Sequence, residues 1–116
     1  VRLIPLTDEE MTTLSAKYPF YVPVTVSKDT YGGMTEDTTI SSITAVIIVS
    51  KDLDEDLVYN LTKALFEKKG EMTHAKAQEL NPEFAVAGIP CPIHPGAAKY
   101  YAEINVAIPE ASQLPK

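Results

Sequence analysis

Residues 43–49 read Ile-Thr-Ala-Val-Ile-Ile-Val, almost uninterrupted apolar and dominated by β-branched side chains. A run without polar alternation does not suit a half-wet antiparallel face, so it predicts a strand covered on both sides. Ser50 and Lys51 break the run, and Asp52 follows at a helix N-cap position with Glu55 placed to complete a capping box. Leu57, Val58, Leu61, Ala64 and Leu65 then recur as the apolar stripe of an amphipathic helix. Buried strand, short turn and helix laid back on the sheet make half of an α/β unit.

The flanking pattern adds smaller elements. Residues 1–6 suit a short strand that Pro5 confines to an end or an edge. Thr7 and Glu10 form a capping box for a helix carrying Met11, Leu14 and Ala16 and ending before Pro19. Residues 20–42 read as two extended arms around a turn at Gly32-Gly33. Lys68, Lys69 and Gly70 suit the end of the central helix. A second helix is expected over 71–80, stopped by Asn81-Pro82, then a short apolar turn or helix over 83–88. Pro90, Pro92 and Pro95 hold the next stretch extended, and Pro95 sits at the first position of a last helix reaching 104. Past Asn105, with Pro109 and Pro115, a poorly ordered tail is expected. The fold expected is α/β, a small mixed sheet with packing helices. Its parts are strands and an arm over 1–42, strand plus C-terminal helices over 43–105, and a tail over 106–116.

Composition narrows the function. A net charge of −6 and a pI near 4.8 argue against a nucleic-acid partner, which calls for a basic face. Arg2 is the only arginine, so planar bidentate capture of a carboxylate has little material here. A single cysteine, Cys91, excludes an intrachain disulfide and a cysteine-rich metal site. No apolar run is long enough for a membrane span, and no signal peptide is evident. The start at Val1, already strand-like, suggests a piece of a larger protein.

No enzymatic signature stands out, so a non-enzymatic protein without a cofactor is expected. His74 and His94 lack the helical partner spacing of a zinc site, and His94 before a helix reads as a cap or packing residue. Cys91 with His94 could make a nucleophile, although their spacing in a proline-locked segment disfavours the bond, and an inert thiol fits better. The acidic residues Asp52, Asp54, Glu55 and Asp56 lack the glycine and distal glutamate of a calcium loop, and helix capping explains them. Gly32-Gly33, without a following helix or lysine, is weak as a phosphate cradle. Tyr18, Phe20, Tyr21 and Tyr31, set among prolines and glycines, either wall a small-molecule cleft or fill a seam between sheet and loops.

Three stretches together resemble one family. Tyr18-Pro19-Phe20-Tyr21 followed by Thr30-Tyr31-Gly32, the helix of residues 53–67, and His94-Pro95-Gly96-Ala97-Ala98-Lys99-Tyr100-Tyr101 are similar, in this order, to segments of TRAP-transporter solute receptors of the TAXI type. Ser27-Lys28-Asp29 departs from that family's usual Pro-Ala-Gly. The resemblance implies the C-terminal part of an extracytoplasmic, periplasmic solute-binding protein with the type II periplasmic-binding fold. Such a protein captures a small organic solute, an amino acid or organic acid, and delivers it to TRAP membrane permease subunits for ion-gradient-driven uptake. The resemblance and the aromatic pattern together nominate Tyr31, Thr30 and Tyr21 as ligand-binding residues. A small α/β enzyme using Cys91 and His94, and a ligand-free oligomerisation or regulatory domain, are the competing readings. If the cover of residues 43–49 is missing, the chain is expected to self-associate.

Overall fold

The computed structural model describes residues 2–112, which divide into two compact units, one reaching to Ala45 and the other beginning at Val46. In the first, Thr7 caps α1 (Asp8–Lys17) through the expected box: its Oγ1 accepts from the Glu10 N–H at 3.2 Å, and Glu10 Oε2 accepts from the Thr7 N–H at 2.8 Å. Glu10 is held below the usual carboxylate range, chiefly by that Thr7 N–H. Helix α1 packs against β1 (Tyr21–Val26), which pairs antiparallel with β2 (Thr38–Ile43). Val22, Val24 and Val26 turn inward while Pro23 and Thr25 are exposed, the alternation of a half-covered hairpin. The register places Val24 opposite Ile40, and the hydroxyls of Thr25 and Thr39 lie 3.1 Å apart.

The expected arms around a glycine turn are therefore this hairpin, but the sheet is purely antiparallel rather than mixed. Residues 2–6 form no strand; the Leu6 N–H donates to the Thr39 carbonyl at 3.3 Å, and Val1 lies outside the described residues. The larger correction concerns residues 43–49. Strand β2 ends at Ile43, no strand follows among the described residues, and Ile47 and Ile48 are 68% and 80% exposed. A strand needs a hydrogen-bonding neighbour as well as apolar side chains, and among the described residues none runs beside this segment.

The second unit is built on α2 (Glu55–Glu67). Its N-cap is Asp54, whose Oδ1 accepts from the Leu57 N–H at 2.9 Å, and not Asp52. Ser50 opens a turn of its own, its carbonyl accepting from Leu53 and its hydroxyl from the Asp52 N–H. That turn absorbs Asp52 and delays the helix to the next aspartate, so Glu55 is its first residue and no capping box forms. After α2, the helix expected over 71–80 is only two 3₁₀ turns, Lys69–Glu71 and Ala75–Glu79. His74 caps the second turn, and Asn81 caps the short α3 (Pro82–Ala85) that follows it.

Helix α4 (Pro95–Glu103) begins as expected, with Pro95 at its first position and His94 as N-cap. It ends in a Schellman motif: Asn105 adopts φ 59°, its N–H donates to the Ala102 carbonyl, and the Val106 N–H donates to that of Tyr101. This reversal sends the tail back onto the core, contrary to the expectation of disorder beyond Asn105. Val106 and Ile108 pack on the cluster of Phe66, Val86, Tyr100 and Tyr101. Ser112 is buried, its carbonyl accepting from the Ile93 N–H at 2.8 Å and its hydroxyl donating to the Ile89 carbonyl. Residues 113–116 lie outside the described residues.

Candidate functional site

Between β1 and β2, residues 27–37 hold themselves in shape with local hydrogen bonds. Thr30 donates its N–H to the Ser27 carbonyl at 2.9 Å, closing one turn, and the Lys28 N–H donates to Asp37 Oδ1 at 2.9 Å across the loop. The Met34 N–H donates to the Tyr31 carbonyl at 3.3 Å, closing a second turn in which Gly33 has φ 91°. A positive φ at that third position is what a type II turn requires, and glycine adopts it without a Cβ clash. Thr30 and Tyr31 are consecutive residues of this loop, Thr30 exposed and Tyr31 49% exposed.

Tyr21 sits at the far end of the same hairpin, paired with Ile43. Strand rise separates it from Val26, where the loop begins, by roughly 17 Å. Its ring lies 4.8 Å from Phe20 and 6.3 Å from Tyr18, and its carbonyl accepts the Ser15 hydroxyl at 3.0 Å. Thr30 and Tyr31, consecutive in the chain, both lie on the loop, whereas Tyr21 stands with Tyr18 and Phe20 at the other end of the hairpin. Beside that cluster an open concavity of about 370 Å³ runs along α1, bordered by Glu9, Leu14, Lys17 and Tyr18. Neither Tyr31 nor Thr30 borders it.

The second unit holds the other candidate groups. His94 Nδ1 accepts the Gly96 N–H at 3.1 Å, which commits it to capping α4. Nε2 of the same ring is buried and has no hydrogen-bond partner among the described residues. With Nδ1 so engaged and Cys91 half-buried, the pair lacks the base-to-thiol hydrogen bond that activates a nucleophile. The acidic residues at the start of α2 serve locally as well: Asp54 caps, and Asp56 pairs with Lys99 at 3.0 Å. Among the described residues no group of three His, Cys, Asp or Glu side chains is arranged to hold a metal. A polar concavity of about 540 Å³ near Gln78 and Asn81 has its cation engaged, since Lys69 Nζ donates to the Leu80 carbonyl at 2.9 Å.

Helices α2 and α4 meet at Gly96. A Cβ there would lie 2.2 Å from the Glu55 carbonyl oxygen and 2.8 Å from the Tyr59 nitrogen, so the crossing admits only glycine. The His-Pro-Gly-Ala stretch is therefore a helix start and a helix contact: cap, first-turn proline, close approach. Across the same seam the Tyr59 hydroxyl donates to Glu103, and Lys63 Nζ donates to both the Tyr59 oxygen and Glu103 at 3.2 Å. These hydrogen bonds, that to Tyr59 first, raise the Lys63 ammonium above its ordinary value and lower the Glu103 carboxyl. Lys63 and Lys99 also lie over the Tyr59 ring, at 5.5 and 5.2 Å. Sequence reasoning missed this bridge. The Tyr59–Lys63 helical spacing was a signal, but Glu103 joins only once α4 is placed.

Among the described residues no helix is long and apolar enough to cross a membrane. A comparison with known protein families matches residues 1–104 to the NMT1-like family, a binding-protein family related to periplasmic solute-binding proteins.

Proposed function

The chain belongs to the NMT1-like family, and on that premise we propose that it is part of the extracytoplasmic solute-binding component of a TRAP-type transporter of the TAXI class. The component captures a small organic solute, an amino acid or organic acid, and passes it to membrane permease subunits for ion-gradient-driven uptake. The family match over residues 1–104 is the observation that carries this reading; the three motif stretches in TAXI order support the finer assignment. The chain supplies the C-terminal part of a two-lobed type II periplasmic-binding fold. Its bare apolar positions, Ile43, Ile47 and Ile48 with Leu57 and Leu61 on α2, fit surfaces that the remainder of a lobe covers. Tyr31 and Thr30 contribute a ring face and hydroxyls to the ligand wall from a turn-locked loop, and Tyr21 supports the hairpin from its other end. With Arg2 the sole arginine, a solute carboxylate is met by hydroxyls, backbone N–H groups or residues outside this chain.

Calorimetric titration of the complete receptor with amino acids and organic acids tests this. One of them binds, and Tyr31→Ala weakens it by about tenfold or more, roughly 1.4 kcal/mol, while leaving the unliganded melting temperature nearly unchanged. Unaltered affinity together with a large loss of stability returns Tyr31 to a packing role. Taken alone, the chain self-associates through residues 43–49, and light scattering over a dilution series reads this directly. A particle that stays monomeric at high micromolar concentration refutes that part.

A further inference from the structure

No further inference is drawn: the strongest candidate, the bare stripe of Leu57, Leu61 and Ala64 on the outward face of α2, belongs to the surface already described, and nothing in the structure shows what covers it.

Discussion

Helix α2 has two apolar faces that meet opposite fates. On one, Val58 and Phe66 are buried at 3% and 8% exposure, Leu65 joins them, and α4 closes to backbone contact at Gly96. On the other, Leu57 and Leu61 are 56% and 52% exposed. Both faces satisfy the helical period, and the stripe expected from sequence merges them. Periodicity records where a helix is apolar. Which face has a partner depends on the glycine that allows close approach and on the aromatic rings facing it. Here the Phe66 and Tyr100 rings lie parallel with centroids 6.0 Å apart, and burial raises the Tyr100 and Tyr101 phenols above their ordinary values.

The covered face should be the sensitive one. Phe66→Ala empties the centre of the cluster and should cost about 3–5 kcal/mol. Gly96→Ala drives a methyl group into the Glu55 carbonyl and should cost about 3 kcal/mol, at the upper end of overpacking. Urea denaturation followed by circular dichroism measures both. A stable Gly96→Ala protein would show that the helices separate without penalty and that the seam is not tight. A smaller effect belongs at the helix start, where Asp54→Ala should cost roughly 0.5–2 kcal/mol and Asp52→Ala less than about 0.5 kcal/mol. The opposite order would move the cap back to Asp52.

Local chemistry was legible in the sequence wherever one side chain decides the outcome. Thr7 with Glu10, Pro95 after His94, and Gly33 in the hairpin loop each determine a backbone conformation within a few residues. The cap expected at Asp52 falls at Asp54 instead, because aspartate caps equally well at either position and the turn that Ser50 opens decides between them. Residues 43–49 misled for a different reason. Their composition fits a buried strand, but strand formation depends on neighbours that the local sequence does not contain. The order of the tail was not legible because it rests on the left-handed Asn105 and on long-range bonds from Ser112, neither of which has an apolar period. Of the candidate site, the loop carrying Thr30 and Tyr31 was readable from its glycines, whereas the separation of Tyr21 follows only from the strand pairing.

The contrast between the two faces of α2 is tested most directly by Leu61→Ala set beside Phe66→Ala in the same chain, unfolded by urea at a concentration where scattering reports monomer. With Leu61 already half in water, its truncation should shift stability by less than about 0.5 kcal/mol, against about 3–5 kcal/mol for Phe66. Comparable losses at the two positions would contradict the account, because they would mean that the outward face of α2 is buried in solution.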